Sequence, residues 1–159
     1  MNQKKELEYQ KWLTETIAEL KKQHEEFVMA YEDARSEWMN SDVKNHDAAY
    51  EKYCKIQREL QDISTKINHL QEEANGAKYA IYCCGSDRYC YEIVEKKSKS
   101  TFVVCEMEYK YTNGQETFNS IEGISMIEIR RKRNLKGFTS KGRYFYLSTE
   151  PIEYLDPNF

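Results

Sequence analysis

The chain has 159 residues, 40% hydrophobic and 32% charged, with a net charge of −3 and a mean hydropathy of −0.89. No apolar run approaches the roughly 18 residues needed to cross a bilayer, and the 13% aromatic content argues against a disordered chain. The charge is uneven: 11 Lys/Arg against 16 Asp/Glu up to Ala77 (−5), and 13 against 11 from Lys78 onward (+2), so neither half has the basic excess that alone marks a nucleic-acid binder.

The opening, MNQKKELEYQKW, has two lysines followed by no apolar stretch and does not read as a signal peptide. The five cysteines, Cys54, Cys83, Cys84, Cys90 and Cys105, are odd in number. Free thiols in a reducing, cytoplasmic setting are the expectation.

Leu13, Ile17, Leu20, His24, Phe27, Tyr31, Ala34 and Trp38 recur in alternating steps of four and three, the pattern of a coiled-coil seam. Residues 4–39 contain no Pro or Gly and would span about 54 Å as one helix. The segment MNSDVKNHD gathers residues that end or cap helices. A second seam follows at Ala49, Tyr53, Ile56, Leu60, Ile63, Ile67, Leu70 and Ala74, and stops at Asn75-Gly76, residue types that close a helix. Two seams of matching length with a short break predict an antiparallel helical hairpin over residues 1–76. Tyr9, Trp12, Val28 and Tyr50 lie beside the seam, so the hairpin needs a further surface: the rest of the chain, a second copy in a homodimer, or a foreign partner.

Beyond Gly76 the period shortens to two. Strands are expected at 79–84, 89–95, 101–109, 123–130 and 143–148, with turns at Gly85–Arg88, Asn113–Gly114 and Asn134–Gly137. That rhythm predicts a small antiparallel β-sheet or SH3-like barrel over residues 77–159. The fold class expected is therefore α+β, an N-terminal two-helix coiled-coil hairpin followed by a small antiparallel β domain.

The run Gly85-Ser-Asp-Arg-Tyr89, with Ile93-Val94 and Ser100-Thr101 after it and the ending Tyr154-Leu-Asp-Pro-Asn-Phe159, resembles small β domains encoded by phages and bacterial mobile elements. The resemblance covers Lys78 to Phe159. It carries no activity, but it implies a phage or prophage gene acting in a bacterial host. Small proteins of that context often bind and disable host machinery, anti-CRISPR proteins among them. The hairpin lies outside the resemblance and is read as the addition that supplies this chain's own target.

Candidate chemistry is sparse. Ser86, Asp87 and Arg88 are better read as a capped turn than as a catalytic set, because His24, His46 and His69 all lie in the hairpin. Zinc at Cys83, Cys84, Cys90 and Cys105 lacks a Cys-x₂₋₄-Cys knuckle, and small buried thiols are the better reading. No Gly-rich phosphate loop is present. The acidic clusters Glu25-Glu26, Glu32-Asp33 and Glu72-Glu73 could mimic phosphates, but interspersed lysines favour an ordinary solvated face. The densest basic stretch, Arg130-Arg-Lys-Arg133 with Lys136, Lys141 and Arg143, runs into Tyr144, Phe145 and Tyr146. It suits phosphates and stacked bases, or a solvated hairpin end, or docking against the chain's own acidic helices.

These readings predict a non-catalytic protein without metal or cofactor that sterically inhibits a host macromolecule. In its most specific form the partner is a CRISPR-associated nuclease. The partner-binding residues expected are Asp87, Arg88, Arg130, Arg131, Lys132, Arg133, Tyr144 and Tyr146. The competing reading is a nucleic-acid-binding module built on residues 130–143.

Overall fold

The structure, a computed structural model, describes residues 3–121 and 123–157. Helix α1 runs over Gln3–Met39 and α2 over His46–Ala74. Every seam position read from the sequence is buried or half-buried except Ala74. The break between the helices is capped as its composition predicts. Ser41 Oγ donates to the Trp38 carbonyl at 2.7 Å, and Asp42 Oδ1 accepts the Asn45 backbone N–H at 3.0 Å. The far end of α2 closes in a Schellman motif, with the Ala77 N–H on the Glu72 carbonyl and the Gly76 N–H on the Glu73 carbonyl, both at 3.2 Å.

Seven strands follow: β1 (Tyr79–Cys84), β2 (Asp87–Ser98), β3 (Thr101–Thr112), β4 (Gln115–Ser120), β5 (Ile127–Arg131), β6 (Phe138–Ser140) and β7 (Arg143–Ser148). All pairings are antiparallel. The order β2-β1-β7-β6-β5-β3 closes through a β2–β3 pairing into a six-stranded barrel, and β4 pairs with β3 alone. Register shifts in β2 between Ile93 and Glu95 and between Lys96 and Ser98 supply the local bending that closure requires. The chain is thus α+β, a helical hairpin followed by a small antiparallel barrel.

Burial alternates less than the sequence predicts, with Phe102, Val103, Val104 and Cys105 all buried in β3, and three bounds differ. β2 and β3 are longer, because the lysine-rich stretch at 96–98 stays paired and the Asn113–Gly114 turn brings β4 back onto β3 (Thr112 opposite Gln115). β5 begins at Ile127 rather than Gly123. β6 is a three-residue strand with no hydrophobic alternation of its own to announce it.

The described residues pack into two compact units. Those up to Leu13 and from His69 onward form one, and Thr14–Asn68 form the other. The first holds the barrel core, in which Phe102, Val104, Ile129 and Phe145 are fully buried. Phe102 and Phe138 sit 4.9 Å apart by ring centroid, and Tyr91 meets Phe145 edge-on at 5.4 Å. In the second unit the helices meet through rings. Trp38 stacks on Tyr53 at 5.1 Å, Tyr53 lies 5.2 Å from Tyr31, and the two tyrosine hydroxyls share a 2.9 Å hydrogen bond.

Candidate functional site

The barrel unit places its ionisable groups in three settings. The deepest is a lock between the helix ends and β5. Glu73, in the last turn of α2, is 2% exposed. It forms a bidentate ion pair with Arg131, whose Nη1 donates to Oε2 at 2.7 Å and whose Nη2 donates to Oε1, and it accepts the Tyr9 hydroxyl proton. Burial, with the Glu73 carboxylate second, pushes the Tyr9 phenol far above its usual range. The Arg131 guanidinium lies over Trp12 at 4.9 Å and over Phe138 at 4.7 Å. Arg131 also fixes the β2–β3 turn: its Nε donates to the Lys99 carbonyl at 2.7 Å and its backbone N–H to Ser100 at 2.8 Å. With its side chain 6% exposed, Arg131 serves the fold, docked on the acidic end of α2.

The second setting joins the two short motifs on which the resemblance rests. Arg88 pairs with Tyr154 through two backbone hydrogen bonds, of 2.7 and 3.0 Å. Asp87 Oδ1 accepts the Asp156 N–H at 2.8 Å, and Glu153 accepts the Cys90 N–H at 2.9 Å. Arg88 Nη1 donates to the carbonyls of Gly85 and Asp87. Asp87 and Arg88 therefore clasp the C-terminal segment to the β1–β2 turn. Phe159, the last residue of the motif, lies outside the described residues. Burial pushes the Cys90 thiol up to about 11 and raises Glu153 above the usual carboxylate range.

The third setting is the basic surface. β5 alternation separates its residues, so that Arg131 turns inward while Arg130 is exposed beside Glu128 at 3.0 Å. Hydrogen bonds from Lys97 and Arg130 hold Glu128 below the usual carboxylate range. Arg133 is exposed, and Lys132 sits over the Tyr144 ring at 5.4 Å. Tyr144 and Tyr146 are half-buried against His69 of α2; the Tyr144 hydroxyl is 3.2 Å from His69 Nε2 and the Tyr146 ring 6.3 Å from the imidazole. Burial pushes His69 below its ordinary pKa. Of the residues singled out in the sequence, Lys132 meets Tyr144 and the Arg88 side chain meets the Tyr146 hydroxyl, while Asp87 serves the clasp.

Sequence reasoning missed a cleft of about 290 Å³ lined by Lys5, Glu8, Tyr9, Trp12, Lys97, Ser98 and Lys99. Lys97 and Lys99 fall between the expected strands 89–95 and 101–109, and Lys5 and Trp12 fall on the expected helix. Among the described residues, no cluster of three or more His, Cys, Asp or Glu has metal-binding geometry, and no buried side-chain nitrogen or oxygen lacks a hydrogen-bond partner. In register, Cys83 faces Arg88 and Cys90 faces Ile81, so the turn does not bring these thiols opposite each other. No helix of the described residues is long and apolar enough to cross a membrane. The chain matches no known protein family, no curated protein and no solved structure.

Proposed function

We propose that the protein is a non-catalytic inhibitor that binds a host protein through the closed end of its helical hairpin. The observation that carries this reading is an exposed apolar and aromatic group there: Val43 is 97% exposed, Met39 69% and Tyr50 46%, beside the half-buried Trp38. Methionine and aromatic side chains are enriched in protein interfaces, and Tyr and Trp dominate their energetics. The ring cluster of Trp38, Tyr50 and Tyr53 beneath them gives a firm base, with Trp38 5.2 Å from Tyr50 and its Nε1 donating to His46 at 3.1 Å. In its most specific form the target is a CRISPR-associated nuclease in a bacterial cytoplasm, as the resemblance over Lys78–Phe159 implies.

Tagged protein, incubated with nuclease-treated lysate of a host with active CRISPR interference, should retain one defined protein. The Met39→Glu, Val43→Glu double variant should lose that protein while keeping the melting temperature of the parent chain. Expression should also protect a targeted phage from interference, and the double variant should not. Retention unaffected by the double variant, or retention that vanishes once nucleic acid is digested, would overturn the reading.

A further inference from the structure

The cleft bordered by Trp12 and the β2–β3 turn combines features that recognise a particular chemistry. Its lining supplies three ammonium groups, from Lys5, Lys97 and Lys99, against the carboxylate of Glu8, and Lys97 is also paired with Glu128 at 3.1 Å. Lys99 holds its Nζ 5.5 Å from the centre of the Trp12 ring. Trp12 is half-buried and stacked with Tyr9 at 6.3 Å and an interplanar angle of 21°, so the indole is held at a fixed tilt. The backbone of the turn that carries Lys99 is held as well. Arg131 tethers the Lys99 and Ser100 carbonyls, and the same guanidinium rests on Trp12, so one buried residue sets both the turn and the ring. Such preorganisation lowers the entropic cost of binding.

Arg131 is committed to Glu73 and Lys99, and its fork is not offered to a ligand carboxylate. What the cleft offers is point-charge cations around a flat aromatic face. Lysine ammonium groups suit phosphates spaced along a flexible backbone, and an indole face accepts any base by stacking. Volume narrows the choice further, since about 290 Å³ lies at the small end of ligand sites and has room for one flat group. Arg130, 75% exposed, shares the part-exposed Glu128 carboxylate with Lys97, so a phosphate reaching this edge of the cleft would exchange with a surface ion pair rather than with a buried one. We propose that this cleft binds single-stranded nucleic acid, with one base on the Trp12 indole and the flanking phosphodiesters on Lys97, Lys99 and Arg130. On binding, the exposed Lys99 ammonium moves from the ring to a phosphate and leaves its place to the base. The site is independent of the hairpin surface proposed above and can fail or stand without it.

The test uses the full chain and a fluorescein-labelled oligothymidylate of about fifteen nucleotides. Anisotropy should show binding whose logarithmic salt slope is about −2, as expected for three neutralised phosphates on a single strand. The Lys97→Gln, Lys99→Gln variant should flatten that slope by about 1.4, whereas Lys21→Gln, Lys22→Gln in α1, an equal change of charge, should leave it unchanged. The chain has two tryptophans, so Trp38→Phe isolates Trp12. Unlabelled oligonucleotide should quench that single indole, and Trp12→Phe should weaken binding by about tenfold. Three results would overturn the proposal: no binding at low salt, binding indifferent to the Lys97 and Lys99 changes, or quenching reproduced equally well by poly-glutamate. The last would assign the cleft to an acidic protein segment instead.

Discussion

In the unit that carries the barrel, Phe102, Ile129 and Phe145 have no exposed surface, and the buried Glu73–Arg131 ion pair is hydrogen-bonded on both carboxylate oxygens. In the hairpin unit, His24, Phe27, Tyr31, Trp38 and Tyr53 all stay half-exposed, although they occupy the seam. Geometry accounts for the contrast. A closed barrel surrounds its interior residues, whereas two helices share one line of contact, which buries Leu20, Ala34 and Ile63 but leaves the larger rings open at their flanks. Stability in the first unit comes from enclosure and in the second from a row of half-enclosed contacts. The first therefore punishes single substitutions, and the second spreads their cost and leaves large side chains at its surface.

Breaking the buried lock should give the largest effect. Arg131→Met strands the Glu73 carboxylate, and loss of one partner from a buried pair costs about 3–5 kcal/mol. Replacing the whole lock, with Tyr9→Phe, Glu73→Leu and Arg131→Met together, should recover most of that loss, because no buried charge remains. Urea denaturation of both proteins checks it, and equal midpoints would show that the ion pair is not isolated from water as described. The packing contrast is sharpened by two truncations. Phe102→Ala should cost about 3–5 kcal/mol, in the range for a fully buried aromatic, and Phe27→Ala about half as much. Equal losses by calorimetry would mean that the seam encloses its residues as fully as the barrel does.

The smallest expected effect concerns His69. Its folded pKa is lowered, chiefly by burial, so the fold favours the neutral ring while the unfolded chain takes up a proton near pH 6.5. The stabilisation is therefore complete above about pH 6.5 and is lost as the pH falls below it. Thermal melts between pH 7.5 and 5.5 should show a decline that His69→Gln reduces. An unchanged decline would place its source elsewhere.

The hairpin was legible because its determinants are local: the spacing of Leu13 through Trp38 and of Ala49 through Leu70 needs no knowledge of distant residues. Turn chemistry marked β1, β3 and β7 for the same reason. What the sequence hid was long-range. Nothing in the neighbourhood of Arg131 says that this residue, rather than Arg130 or Arg133, will find Glu73, 58 positions away. Strand alternation makes that choice once β5 has a defined face. The cleft at Trp12 was hidden likewise, since Lys97 and Lys99 lie more than 80 positions along the chain from the indole. Asp87 was legible as a cap, but the segment it caps was not, because the Asp156 amide lies 69 positions away.

That Leu13 and His69 fall in one unit while Thr14–Asn68 form another makes the barrel unit discontinuous along the chain, and this bears on the order of folding. Contacts such as Tyr9 with Glu73, 64 residues apart, would require a flexible intervening segment to be closed first, at a cost of about 3–4 kcal/mol for a loop of that length. The helical hairpin removes most of that search. Its own contacts form between neighbours in sequence and return the chain before β5 need be in place. Early zipping of the helices would thus deliver Tyr9 and Glu73 as a ready-made platform, and the arrival of Arg131 would become a late, unimolecular docking step rather than a three-body encounter.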